Sequence, residues 1–145
     1  MPIADEPSLV DANILVYAAS PAVPEYAASR ALLESTRKLC VSSQVFAEFY
    51  SVVTNPRRVT VPFAPAEARA FIGAVLPRFD VLPVTAAVVV CWADLAEKHR
   101  VTGADVFDLQ LVATMLENGV RRIYTYNRRD FEPFANLEVL TPNPA

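Results

Sequence analysis

The sequence predicts a single α/β domain with a mostly parallel central sheet, and three observations carry that prediction. Short apolar runs of strand length alternate with longer segments of helical periodicity. The 145 residues suffice for one buried core, and a hydrophobic content of 53% excludes a disordered chain. No internal repeat, low-complexity tract or linker divides the chain, so residues 1–145 are expected to form one domain.

Taken in order, Ser8–Val10 reads as a buried strand ending near Asp11, after which Ile14–Tyr17 turns into a short helical segment. Glu25–Lys38 has helical spacing, with Tyr26, Arg30 and Leu33 on one line. Leu39–Val41 is a short strand, and Ser42 or Ser43 is placed to cap the helix that runs through Thr54. Asn55-Pro56 stops that helix, and a loop follows with an extended piece at Val59–Val61. Pro65 suits the first turn of a helix over Ala66–Leu76. Phe79–Val84 is the next strand, and Thr85 caps a helix to about His99. Thr102-Gly103-Ala104-Asp105 reads as a helix start, with Asp105 as the acidic partner of a capping box. That helix reaches Asn118 and ends on Gly119. Arg122–Tyr126 and Leu137–Leu140 are the last strands, joined by a loop over Asn127–Phe134.

Composition removes several classes of function. With one histidine (His99) and two separated cysteines (Cys40 and Cys91), the usual zinc sites are unavailable, so any metal is expected to be bound by oxygen. Both cysteines lie in apolar stretches and read as buried thiols of a reducing compartment. The first residues, Met1–Pro7, have neither the basic nor the apolar region of a signal peptide, and no apolar run approaches membrane-spanning length. A cytoplasmic protein with no membrane partner is the expectation. The formal charge of −3 argues against broad non-specific electrostatic binding to nucleic acid, while leaving room for a local basic rim.

Ligands of open parallel α/β sheets bind at the carboxyl ends of the strands. Asp11 ends the first strand among apolar neighbours, where it serves as a helix cap or as part of a site. Glu48 lies on a helix apolar on almost every face, so it is at least partly buried and needs an arginine, several donors or a cation. Asp105 and Asp108 share a helix face; capping accounts for Asp105, whereas Asp108 is one turn further in and is the better ligand. Asn127 and Asp130 follow the strand over Arg122–Tyr126 and carry further oxygen atoms. Carboxylates on separate elements, without histidine or cysteine, suit Mg²⁺ or Mn²⁺. Arg57, Arg58, Arg128 and Arg129 form two basic pairs in loops, as phosphate contacts or as solvated charges. Arg121 and Arg122 read as structural, and Phe107, Tyr50 and Trp92 as core residues.

Four stretches, in order, resemble the PIN-domain family, and most closely its VapC-type toxins. They are Val10-Asp11-Ala12-Asn13-Ile14-Leu15-Val16-Tyr17-Ala18, Ser43-Gln44-Val45-Phe46-Ala47-Glu48-Phe49, Gly103-Ala104-Asp105-Val106-Phe107-Asp108-Leu109-Gln110-Leu111-Val112-Ala113 and Tyr124-Thr125-Tyr126-Asn127-Arg128-Arg129-Asp130-Phe131. The resemblance implies a PIN-like three-layer α/β/α sandwich with a central, mainly parallel sheet. It also implies a Mg²⁺-dependent endoribonuclease (with Mn²⁺ as a possible substitute) that forms a homodimer and is held by a VapB-like antitoxin. Position by position, Asp11, Glu48 and Asp108 match the family's metal-binding acids. The fourth acidic position is Asn127 here, with Asp130 as a possible acidic substitute, and Thr125 joins them in an outer shell. Competing expectations are a non-catalytic or RNA-processing PIN module and a structure-specific DNA nuclease.

Overall fold

The computed structural model describes residues 6–143; Met1–Asp5, part of the stretch read for a leader, lie outside the described residues. Its strands are β1 (Ser8–Val10), β2 (Leu39–Val41), β3 (Asp80–Val81), β4 (Arg122–Tyr124) and β5 (Glu138–Leu140). The helices are α1 (Ala12–Ala18), α2 (Tyr26–Glu34), α3 (Ser43–Val53), α4 (Pro65–Val75), α5 (Ala86–His99) and α6 (Val106–Glu117). All neighbouring strands pair in parallel, in the order β3-β2-β1-β4-β5. Strands β1, β2 and β4 are buried along their whole length, as a parallel sheet covered on both faces requires.

Strand order dictates the layering. The chain steps outward from β1 through β2 to β3, then returns to the other side of β1 for β4 and β5. Right-handed crossovers therefore put α1–α4 on one face of the sheet and α5 and α6 on the other. The helix contacts agree: α1 packs on α2 and α3, α3 on α4, and α5 on α6. The result is the expected α/β/α sandwich. The reversal of strand order falls between β1 and β4, so a crevice opens beyond their carboxyl ends.

Several boundaries differ from the sequence expectation, each for a physical reason. Helix α2 stops at Glu34 instead of running towards Lys38, because the Arg78 guanidinium takes the carbonyls of Leu33, Ser35 and Arg37 at 2.7, 2.8 and 2.6 Å. Strand β3 shrinks to Asp80–Val81 on the sheet edge, where Pro83 offers no N–H to extend the ladder. Strand β4 ends at Tyr124: Thr125 N still donates to Leu140 O at 2.9 Å, but the two N–H groups after it turn to side chains, Tyr126 N to Asn13 Oδ1 and Asn127 N to Thr125 Oγ1. Ser42 and Thr85 do occupy N-cap positions, but neither side chain makes a capping bond.

The capping box at Thr102 and Asp105 does not form. Gly103–Asp105 is a separate 3-10 turn, and Asp105 has helical backbone angles from which its side chain caps nothing. At the other end of α6 the expectation holds. Gly119 takes φ 70°, Gly119 N donates to Leu116 O, and Val120 N donates to Met115 O at 2.9 Å, a Schellman ending.

Two aromatics read as core are exposed. Tyr50 lies off the buried Val45–Phe49–Val53 stripe of α3, and Phe107, 55% exposed, sits in the first turn of α6 before its core begins at Leu109. Trp92 and Cys91 are half-buried on α5, a helix with only Val88 fully covered; Cys40 is buried in β2. Burial, with a smaller push from Asp80, raises the Cys40 thiol to about 12, so it stays protonated and unreactive.

Candidate metal centre

The centre begins with the register of β1 on β4. Val10 pairs with Tyr124, so the next residues, Asp11 and Thr125, stand side by side at the mouth of the crevice. Thr125 Oγ1 donates to Asp11 Oδ2 at 2.8 Å, and Asn13 Nδ2 reaches the same oxygen at 3.2 Å. Ala12 N donates to Asp11 Oδ1 at 2.8 Å, so Asp11 is both the cap of α1 and a wall of the crevice. Asn13 Nδ2 also meets Thr125 Oγ1 at 3.2 Å, closing a small network that fixes the carboxylate. Burial raises the Asp11 pKa; the Thr125 and Ala12 donors pull it back, and the Asp130 charge adds to the rise.

Glu48 approaches from α3, in one helical layer, and Asp108 from α6, in the other. Glu48 is half-buried, and no ion pair among the described residues involves it, so the arginine partner considered from sequence does not exist. Its neighbour is Gln44, one turn earlier, whose Nε2 donates to Glu48 Oε1 at 2.9 Å and to the Phe107 carbonyl at 2.7 Å. Burial raises the Glu48 pKa, with Gln44 opposing and Asp11 adding to it. Asp108 is pushed up to about 7, first by burial and then by the charges of Asp130, Asp11, Glu48 and, last, Asp105.

Asp11, Glu48, Asp108, Asn127 and Asp130 all line one cavity of about 900 Å³, together with Arg58. Asp105 is exposed and does not line it. Of the four loop arginines, Arg58 alone borders this cavity; Arg128 is tied to Glu132 at 3.2 Å, and Arg57 and Arg129 are exposed. Arg122 is structural as expected, paired with Glu138 at 2.7 Å and Glu6 at 3.7 Å.

An all-oxygen set whose pKa values are raised by burial and then by neighbouring carboxylates, with no ion pair among the described residues, suits a hard divalent cation. The arrangement is open: among the described residues no three acidic side chains converge tightly enough to clasp one ion together. Mg²⁺ tolerates this, because it keeps several waters and takes one or two carboxylates directly. The residues present fit such an ion. Sequence reasoning did not single out Gln44, although its i, i+4 spacing to Glu48 was the available signal.

Comparison with known proteins places the chain. The model of the PIN domain matches residues 8–137. The chain belongs to the PIN-domain family. It is similar to ribonuclease VapC24 of Mycobacterium tuberculosis, 29% identical over 138 residues that cover 92% of this chain and 94% of that protein. Ribonuclease VapC43 of the same species is 35% identical over 115 residues, covering 75% and 78%. Among solved structures, VapBC2 of Rickettsia felis bound to a promoter DNA fragment matches with a TM-score of 0.67 at 20% identity, covering 94% of this chain and 99% of that one. The sarcin-ricin-loop-cleaving toxin VapC20 of M. tuberculosis matches with a TM-score of 0.66 at 16% identity, covering 87% and 94%. These PIN-fold likenesses span nearly the whole chain. Among the described residues, no helix is long and apolar enough to cross a membrane.

Proposed function

We propose that this PIN-domain chain is a Mg²⁺-dependent endoribonuclease of the VapC type, the toxin of a two-component module. One observation carries the proposal: Asp11, Glu48, Asp108 and Asp130 border one cavity, and no ion pair among the described residues relieves them. Asp11 and Asp108 are the residues that would hold the ion, with Glu48 binding it or orienting its water, and Asn127 and Asp130 beyond. When bound, the ion supplies activation of a water and neutralises charge on the scissile phosphate. Thr125 and Asn13 keep Asp11 Oδ2 aimed, and Asp108, raised by burial and the neighbouring carboxylates, would give up its proton when a cation is held beside it. Arg58, on the rim, is the proposed contact for an RNA phosphate.

The proposed macromolecular partners are RNA, a VapB-like antitoxin and a second copy of the chain, in the cytoplasm. The ribonuclease names of the relatives and the VapBC complexes among the structural neighbours support the first two. Exposed apolar side chains at Val81, Val84, Val89 and Val90 support the third.

Purified protein incubated with structured RNAs should cleave them in Mg²⁺ and fail to do so in EDTA. Asp11→Asn should remove cleavage while leaving the circular dichroism spectrum unchanged. Cleavage by Asp11→Asn at the wild-type rate would overturn the assignment.

A further inference from the structure

We propose that Gln44 is the positioning residue for Glu48, a strap that sets the carboxylate of α3 against the start of α6. This rests on the metal-nuclease reading above and names a residue which that reading does not use. Gln44 Nε2 spends its two hydrogens on two acceptors in different helical layers, Glu48 Oε1 at 2.9 Å and Phe107 O at 2.7 Å. Phe107 directly precedes Asp108, so one amide nitrogen links the backbone that carries Asp108 to the side chain of Glu48. It does so between α3 and the start of α6, 63 positions apart in the chain.

The amide orientation is not free. Turning it over would aim its oxygen at a carboxylate and a carbonyl, both acceptors. In the observed orientation Gln44 Oε1 is buried with no hydrogen-bond partner among the described residues. An unpartnered buried acceptor detracts from stability, which makes this glutamine a poor choice if its task were packing alone. The geometry fits a residue retained for what it orients. With Oε1 of Glu48 accepting from Gln44, the second carboxylate oxygen is the one available to a ligand in the cavity that Glu48 lines.

The test is Gln44→Met, which has similar length and no donor, measured by Mn²⁺ titration, by melting of the metal-free protein and by RNA cleavage. The expected result is Mn²⁺ binding weakened roughly 10-fold. kcat should fall with little change in KM, and the melting temperature should be equal to or above that of the wild type. In a Glu48→Gln background the same substitution should have no further effect on Mn²⁺ affinity, because Gln44 acts through Glu48. Gln44→Asn, which keeps an amide too short to span both acceptors, repeats the test if the methionine disturbs packing. Wild-type Mn²⁺ affinity in both variants, or effects that add to those of Glu48→Gln, would overturn the role of Gln44 while leaving the nuclease intact. A wild-type protein that neither binds Mn²⁺ nor cleaves RNA would take down both readings together.

Discussion

Arg122 opens strand β4 and Thr125 follows its end, and the charges around these two residues are handled in opposite ways. Arg122 has a side chain only 7% exposed, yet among the described residues the carboxylates of Glu138 and Glu6 reach it. At the far end, Thr125 hands Asp11 into a group of carboxylates that no lysine or arginine pairs with among the described residues. One pole carries a charge compensated from within the chain. The other carries charge whose compensation must come from outside. A burial cost accepted without an internal partner is the mark of a binding site, whereas the paired arginine is architecture.

Asp108→Asn tests that contrast most severely. Cleavage should fall below detection, yet the metal-free protein should become more stable, because the neutral amide no longer suffers burial and repulsion. The pH dependence follows from the sign of the shift. Asp108 is raised from 3.8 to about 7, so the folded state resists its ionisation. Metal-free stability should therefore decline as pH rises from about 4 to about 7, by about 2 kcal/mol for this half-buried group after allowing for solvent screening. Melting curves across that range should show a shallower decline in Asp108→Asn. Added Mg²⁺ should raise the wild-type melting temperature most at neutral pH and above. An Asp108→Asn protein with the wild-type pH profile would remove the argument.

The opposite pole should respond in the opposite sense. Glu138→Ala takes from Arg122 the carboxylate that, among the described residues, lies nearest to it, with Glu6 still at 3.7 Å. Urea unfolding should show a loss of about 1–3 kcal/mol, while Mn²⁺ affinity and cleavage by the remaining folded protein stay at wild-type values. A loss of Mn²⁺ affinity in this variant would mean that the two ends of β4 are not independent.

Much of both poles was legible in the sequence, and what was not has a common cause. Apolar runs of strand length located the five strands; continuous burial in a doubly covered parallel sheet explains this for β1, β2 and β4, whereas β3 and β5 lie at the less buried edges. Asp11, Glu48 and Asp108 stood out as acids in apolar company, and the cavity does gather them. What local patterns missed depends on partners distant in sequence. The carbonyl grip of Arg78 ends α2 early, the 3-10 turn before α6 displaces the capping box, and Gln44 acquires meaning only when Phe107 arrives from 63 positions away. Phe107 itself was misjudged because composition cannot tell that the core begins one turn later, at Leu109.

Asn127 offers the gentlest way to sharpen the comparison. It lines the cavity beside Asp130, but it is exposed, and its backbone N–H is already held by Thr125 Oγ1 at 3.0 Å. Asn127→Asp would add a carboxylate where the family pattern often has one, with no change of shape. In the metal-free protein that charge adds to the repulsion on Asp108 and should lower the melting temperature slightly. With Mn²⁺ the same charge should tighten binding a few-fold, because an anion attracts a cation more strongly than an amide does. Solvent screening at an exposed position keeps both effects small. The decisive feature is their opposite sign: a carboxylate that destabilised the protein with and without Mn²⁺ alike would be answering only to its neighbours, and the cavity would not be built around a cation.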